Sequence, residues 1–307
     1  MKANTIRTKA LSNATLSEVQ GNYAAALDDI QAQLYKLLAK PRTQGGTYTY
    51  SELRRLKRLE TLHTKLKTIL KNMNVSNAKL QRKLFRTAFN SSYYRLAYSI
   101  DKTVNIYTGF TLLNPETVTA AMNLPISGLT LNETLAKNAT QIQLQVRQII
   151  TQGIIAGRGS EDTAKILSSK MEDVFKGDYA KAIRVARTES GRAQNMGELA
   201  SIDEAKDNGA NIKKMWIATL DDKTRDSHGA LDGQVEDAEG LFISIHGNKA
   251  EYPHGFSVAS ENINCRCSLG SKVEGFELTE RMAKRHGKYE TVGNVSYSDW
   301  KKELKTD

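Results

Sequence analysis

Two cysteines in 307 residues cannot form a disulfide framework. That excludes the small secreted scaffolds that depend on one, and it suits a reducing compartment. No apolar run reaches the ~18 residues of a membrane span. Residues 1–20 hold no continuous apolar stretch of the kind a secretory leader needs, so neither a membrane span nor export through a leader is expected. Phosphate-cradling glycine loops are missing too: there is no G-x-x-x-x-G-K-[ST], and no G-x-G-x-x-G after a strand. Neither an H-E-x-x-H pair nor a serine–histidine–aspartate order stands out. The sequence carries no internal repeat and no low-complexity tract. What remains, with 39% hydrophobic and 25% charged residues, is the composition of a folded soluble chain. Its length allows one large domain or two ordinary ones.

Acidic residues are scarce in one place. Residues 1–100 carry 18 Lys and Arg against 5 Asp and Glu, whereas residues 191–307 carry 16 against 20. The net charge of +10 therefore sits at the front, over a mildly acidic back. This asymmetry implies two functional halves and a polyanion near the first. It is sharpest from 54 to 95, where Glu60 is the sole acid among Arg54, Arg55, Lys57, Arg58, Lys65, Lys67, Lys71, Lys79, Arg82, Lys83, Arg86 and Arg95. A helix that neutralises itself would intersperse Glu with Lys four residues apart. Contact with the phosphates of double-stranded DNA, sequence-blind and salt-sensitive, is the leading reading. An acidic protein surface and a solvated basic face are the alternatives. Tyr93 and Tyr94 are too few for base stacking.

Periodicity makes the front helical. Thr15 and Glu18 form a capping box and predict a helix start. Leu27, Ile30, Leu34 and Leu37 follow at helical spacing, and Pro41, Gly45 and Gly46 break it. Leu53, Leu56, Leu59, Leu62, Leu66 and Ile69 line a second helix, with a third predicted over 76–100. Asn114 and Pro115 make an N-cap with proline at the first helical position, and Thr130 with Glu133 makes another capping box. A helix ending near Gly153 or Gly157 follows, then a short one over 160–175 and a longer one from Tyr179 to Asp207, stopped at Asn208–Gly209. Beyond lie strand-prone segments at 212–220, 241–245 and 262–269, with a turn at Asp232–Gly233. The expected fold is α+β: a mainly helical, basic N-terminal region, then a compact C-terminal domain with helices and a small β-sheet.

Three clusters could carry chemistry. Arg187, Thr188, Glu189 and Arg192 lie on one predicted helix, where Glu189 and Arg192 suit an internal ion pair. Asp222 is placed to cap a short helix bearing Arg225 and His228, with Thr224 and His228 on one face. Asp, Arg and His together could support acid–base or metal chemistry, or serve as a cap, an ion pair and a core histidine. The cysteines stand in "NINCRCSLG", where Ile263, Cys265, Cys267 and Leu269 alternate with Asn262, Asn264, Arg266 and Ser268. A strand of that pattern points both thiols into a core, about 6.6 Å apart along the chain. That span disfavours a disulfide. Buried reduced thiols, zinc ligands sharing His228 or another histidine, and a redox pair stay open. His246 and His254 are further ligand candidates without a fixed spacing.

The order of these motifs is more specific than any one of them. Ala-Arg-Thr-Glu, a strand with Trp216, Asp222-x-x-Arg225-x-x-His228, Leu-Asp-Gly-Gln at 231–234 with Gly233, Pro253, and Asn264-Cys265-Arg266-Cys267 follow one another. The series resembles the phage head morphogenesis family, the Mu protein F-like minor capsid proteins of tailed double-stranded DNA phages. The resemblance divides the chain into a basic helical region (1–105), a connecting segment (106–144), the family domain (145–272) and a tail with short helices (273–307). It implies a virion component inside the capsid near the portal, present in the host cytoplasm during assembly. Implied partners are the portal protein, with scaffolding or major capsid protein as further options, and DNA without sequence preference. It implies no enzymatic activity and no dissociable cofactor, although His228, Cys265 and Cys267 could hold a structural zinc. A metal-assisted nuclease or hydrolase is the rival reading. The family's motif residues carry over to Arg187, Thr188, Glu189, Trp216, Asp222, Arg225, His228, Gly233, Asn264, Cys265, Arg266 and Cys267. The interval between His254 and the cysteines is looser than the family's.

Overall fold

A computed structural model of the chain describes residues 2–38, 57–104, 110–126, 128–155, 160–274, 279–285 and 288–303. The architecture is mainly helical α+β. Among the described residues five helices come first: α1 (Lys2–Leu38), α2 (Arg58–Val104), α3 (Pro115–Asn123), α4 (Leu131–Ile155) and α5 (Ser160–Asp207). Then follow β1 (Ile212–Ile217), α6 (Asp226–Ala230), β2 (Phe242–Ile243), β3 (Lys249–Ala250) and α7 (Ala259–Asn262). The described chain closes with β4 (Ser268–Val273), β5 (Glu280–Arg285), β6 (Lys288–Gly293) and α8 (Tyr297–Glu303).

The helices run through several expected interruptions. The Thr15–Glu18 box lies inside α1, the gap expected before 76 lies inside α2, and the break expected between 175 and Tyr179, which holds Gly177, lies inside α5. A cap is worth about 1 kcal/mol and an interior glycine costs about as much. Burial of a long apolar stripe outweighs both: Val19, Ile30, Leu34 and Leu70 are almost wholly buried. At the expected break in α5, Asp178 accepts a hydrogen bond from the Tyr23 hydroxyl at 2.8 Å. Other signals hold. Asn114 Oδ1 accepts the Glu116 amide at 2.9 Å with Pro115 opening α3, and α4 begins directly after Thr130. Gly209 ends α5 at φ +87°, where the Ala210 amide reaches back to the Ala205 carbonyl at 2.9 Å.

The chain forms two compact units. One comprises Asn13–Arg82 and Asn132–Ile183, and Ile30, Leu66, Ile142, Ile150 and Met171 from four helices share its core. The other comprises Met1–Ser12, Lys83–Leu131 and Arg184–Asp307. Its core joins Ile100 and Ile202 to Trp216, Leu220, Leu231 and Trp300. Its strands pair antiparallel as β1–β4, β2–β3 and β5–β6, and Trp216 stands opposite Leu269 in the first pair.

The segment 273–307, expected as a tail with short helices, holds a hairpin besides α8. Trp300 and Ala283 are buried in the core of the second unit. The anchor is a buried ion pair. Arg281 donates to both Asp232 oxygens at 2.7 Å and to the carbonyls of Ala218 and Val295, also at 2.7 Å. Asp232 in turn accepts the amides of Ala218 at 2.8 Å and Tyr297 at 2.7 Å. Such bidentate, fully partnered pairs hold their geometry well.

Within this second unit α2 and α5 approach closely at Gly197, where an added Cβ would lie 2.4 Å from the Phe89 carbonyl oxygen. Gly197→Ala should therefore destabilise the protein by about 1–3 kcal/mol through overpacking, although alanine gains about 1 kcal/mol in helix propensity. A melting temperature equal to or above the wild type's would refute the close approach. Beside it, Glu198 is buried with Arg95 Nη2 at 2.9 Å, and its Oε2 has no hydrogen-bond partner among the described residues. Burial, offset in part by Arg95, pushes its carboxyl up to about 7 from an ordinary 4.5. The folded state thus holds a proton that the unfolded state has released. The stability this group contributes is present at low pH and is lost as pH rises from 4.5 to about 7. Glu198→Gln should flatten that part of a stability–pH profile measured by urea unfolding.

Candidate functional site

Helix α5 is the floor of the site. Arg187 points to solvent, whereas Thr188, Glu189, Arg192 and Asn195 are buried. Arg192 Nη2 meets Glu189 Oε2 at 2.6 Å, its Nη1 donates to the Ala121 carbonyl at 2.9 Å, and its guanidinium lies 5.0 Å from the Phe85 ring centroid. The expected internal ion pair is thus also a clamp on the C-terminal end of α3. Burial raises the Glu189 carboxyl above its usual range against the pull of Arg192. Thr188 Oγ1 accepts the Asn264 amide at 3.1 Å.

Asn195 fixes the cysteine segment. Its Oδ1 accepts the Leu269 amide at 2.7 Å, while its Nδ2 lies 3.1 Å from the Cys267 carbonyl and 3.1 Å from His254 Nδ1. His254 Nε2 donates to the Cys265 carbonyl at 3.0 Å, so both ring nitrogens of this histidine are used. Burial, only partly opposed by backbone hydrogen bonds, pushes His254 down to about 4. A neutral ring locked in this way brackets the cysteine segment and has no free lone pair for a metal.

The strand expected over 262–269 is shorter than its alternation implied. Pairing begins at Ser268, because Asn264 takes a left-handed φ of 57° and its amide goes to Thr188 rather than to a neighbouring strand. The alternation of burial holds only from Asn264 onward: Cys265, Cys267 and Leu269 are buried and Asn264, Arg266 and Ser268 exposed, whereas Asn262, expected outward, is buried in α7 and Ile263, expected inward, is exposed. Both cysteines are free thiols.

His228 reaches the thiols from α6. That helix starts at Asp226 behind Arg225, whose extended φ −63°, ψ 148° makes it the N-cap. Asp222 is therefore not the cap, Thr224 is not on the helix, and Asp222 is exposed. Its neighbour Asp221 does the organising instead: Oδ1 accepts the Lys223 amide at 2.9 Å and Arg266 Nη2 at 2.7 Å. Arg225 donates to the Ile263 carbonyl at 2.5 Å. Gly233, at φ +76°, turns the chain so that its amide meets the Trp216 carbonyl at 2.8 Å, and the Trp216 amide meets the Gln234 carbonyl at 2.8 Å.

His228, Cys265 and Cys267 converge. His228 Nδ1 lies 3.5 Å from each sulfur, and the three donor atoms are all within 4.8 Å of one another. All three residues are at most 5% exposed. The Cys267 amide points at Cys265 Sγ from 3.4 Å. On the far side of the ring, His228 Nε2 faces Glu261 Oε2 at 2.8 Å, and Ser227 Oγ donates to the same oxygen at 3.1 Å. Burial raises the Glu261 carboxyl, but these donors outweigh it and hold the group below its usual range. Burial likewise raises Cys265, yet the Cys267 thiol and amide, with Arg225 and Arg266, bring it below its ordinary value. The hydrogen bond to Cys265 and burial push Cys267 well above its ordinary value. Trp216 covers the cluster, edge-on to His228 at 5.6 Å.

The basic stretch lies on α2. Arg54 and Arg55 fall outside the described residues; Lys57 precedes the helix and Arg58 is half-buried. Lys65, Lys67, Lys71 and Lys79 in one unit, and Lys83 and Arg86 in the other, are exposed. Lys65 donates to Gln33 at 3.2 Å and Arg82 to Asn132 at 3.0 Å, both neutral. Among the described residues, none of Lys67, Lys71, Lys79, Lys83 and Arg86 makes an ion pair.

Sequence reasoning missed Asn195, Asp221 and Glu261. Asn195 had a signal, since it follows Thr188 by two helical turns on the same face of α5. Glu261 had none.

A family model of phage Mu protein F-like proteins matches residues 144–270. The chain is also 30% identical over 292 residues to the minor head protein of Bacillus phage SPP1, across 92% of this chain and 90% of that one. The protein belongs to the phage head morphogenesis family of Mu protein F-like proteins. It is 34% identical over 208 residues to an NAD(+)–arginine ADP-ribosyltransferase of Enterococcus faecalis, spanning 68% of this chain and 41% of that protein. An uncharacterized protein of Haemophilus influenzae is 27% identical over 158 residues, 51% of this chain and 30% of its own. No solved structure matches the chain.

Replacing Asn195 with alanine leaves the Leu269 amide and the Cys267 carbonyl without their partner inside the core. The expected loss is at least about 2 kcal/mol, read from the midpoint of urea unfolding at unchanged slope. A loss under about 0.5 kcal/mol would show that the cysteine segment does not depend on this residue.

Proposed function

We propose that the protein is a minor capsid component of a tailed double-stranded DNA phage that joins the portal during procapsid assembly and contacts DNA through the exposed face of α2. The likeness to a minor head protein along 92% of the chain supports the head role. The DNA contact rests on one observation: exposed cations along α2 that lack acidic partners among the described residues. Lys65 to Lys79 span about 21 Å of helix. A face of that length meets several phosphates, and releasing their counterions supplies affinity without sequence preference. The portal protein is the proposed docking partner, with scaffolding or major capsid protein as further surfaces. The site of action is the capsid interior near the portal, after assembly in the host cytoplasm. Among the described residues no helix is long and apolar enough to cross a membrane. No enzymatic step is proposed. Asp222, on which the hydrolase reading relied, is exposed and lies outside the buried His228–Cys265–Cys267 cluster.

Full-length protein should bind duplex DNA of unrelated sequences with an affinity that falls steeply in salt. Lys67→Gln/Lys71→Gln/Lys79→Gln should weaken binding about 100-fold at 0.1 M salt and reduce the slope of log affinity against log salt by about 2.7. Titration by fluorescence anisotropy at several salt concentrations reads both, and an unchanged slope would remove α2 from the DNA contact. Tagged protein from infected cells should sediment with the portal ring; a portal fraction free of it would overturn the docking assignment.

A further inference from the structure

We propose that His228, Cys265 and Cys267 bind one structural zinc ion, through His228 Nδ1 and the two sulfurs. The argument begins with the imidazole. Glu261 Oε2 stands 2.8 Å from His228 Nε2, and a carboxylate only accepts, so Nε2 carries the proton. The Nδ1 lone pair is then left facing the cysteines. One lone pair accepts one S–H, yet two sulfurs approach it equally, at 3.5 Å each. A hydrogen bond to Nδ1 accounts for one of these two approaches only; the other sulfur stands equally close without donating to the ring.

A metal ion accounts for both. Tetrahedral zinc, with sulfur at about 2.3 Å and nitrogen at about 2.0–2.1 Å, sets its S and N ligands about 3.6 Å apart. The observed 3.5 Å separations match, so the ion fits without a large movement of any ligand. Binding releases the two thiol protons to solvent, and one Zn²⁺ with two thiolates and a neutral imidazole carries no net charge. That neutrality suits a site whose three residues are at most 5% exposed. Thiolate and imidazole together favour zinc over the harder divalent cations. The surroundings fit as well. Glu261 and Ser227 orient the histidine from behind, as carboxylates do for metal-bound imidazoles. The Cys267 amide, 3.4 Å from Cys265 Sγ, stabilises a thiolate there.

The same atoms also resemble a nucleophilic thiol–imidazole–carboxylate line, from Cys265 through His228 to Glu261. Burial argues against that use: Cys265, His228 and Glu261 are all buried, and Trp216 and Phe256 lie against the imidazole. The second thiol would also be idle in such a line. Three protein ligands leave the fourth tetrahedral position to a water, which keeps the site neutral. The bound ion would tie α6 and the 265–267 segment together, with α7 attached through Glu261.

The test uses full-length protein purified under reducing conditions without chelator. Elemental analysis should find about one zinc per chain, and cobalt substitution should give thiolate-to-cobalt charge-transfer absorption with intense tetrahedral d–d bands. Cys265→Ser/Cys267→Ser and His228→Ala should lose both signals. Glu261→Gln should keep the site but weaken zinc about 10–100-fold in competition with a chromophoric chelator. Less than about 0.2 zinc per chain, with no cobalt bands from protein whose circular dichroism is native, would overturn the proposal and leave two reduced core cysteines. Should the variants fail to fold, the cobalt titration of the wild-type chain decides alone.

Discussion

One side chain, Asn195, sets the position of everything around the cysteines. It hydrogen-bonds the backbone at Cys267 and Leu269, on either side of the point where β4 begins. Because β4 pairs with β1, that anchor also places Trp216 opposite Leu269. The same amide locks His254, which in turn holds the Cys265 carbonyl. Two side chains thus hold the backbone of both cysteines, and the sulfurs are left to face His228. A buried polar group is costly unless every bond is made, so this arrangement tolerates little drift.

The Asp232–Arg281 pair plays a matching role for the segment after β4. It joins the turn after α6 to β5 and to the start of α8, and every oxygen of Asp232 is occupied. Breaking one partner would bury an uncompensated charge, which costs far more than the pair contributes. The segment after 273 is therefore integral to the core that surrounds the cysteines.

Much of the helical architecture was legible, because apolar periodicity over long windows is a strong signal and the Asn114–Pro115 and Asn208–Gly209 boundaries have clear chemistry. A weak interruption misled: the capping box at 15–18 is worth about 1 kcal/mol, less than the stripe it interrupts. The cysteine segment was half legible. Alternation predicted the burial of Cys265, Cys267 and Leu269 but reversed Asn262 and Ile263, which belong to α7 and its cap, and it did not show that Thr188 would take the Asn264 amide and delay the strand. Asp222 was chosen over Asp221 because motif spacing cannot tell which of two adjacent carboxylates turns inward. His228 meeting the cysteines was readable from residue type. Glu261 behind it was not, because nothing local to 261 marks a residue that works on a ring 33 positions earlier. Arg281 was missed for the same reason, its partner lying 49 positions away.

The interval between His254 and Cys265 was read as loose by family standards, and its fold explains why looseness is tolerated. Eleven positions separate the two hydrogen-bonded ends, and α7 occupies four residues between them. Closing a loop costs entropy only as the logarithm of its length, so lengthening this one by four residues would add about 0.3 kcal/mol. The anchored ends carry the architecture and the intervening chain merely has to span them. An insertion between His254 and Cys265 is therefore cheap as long as both hydrogen-bonded ends stay in place, whereas loss of either end is not.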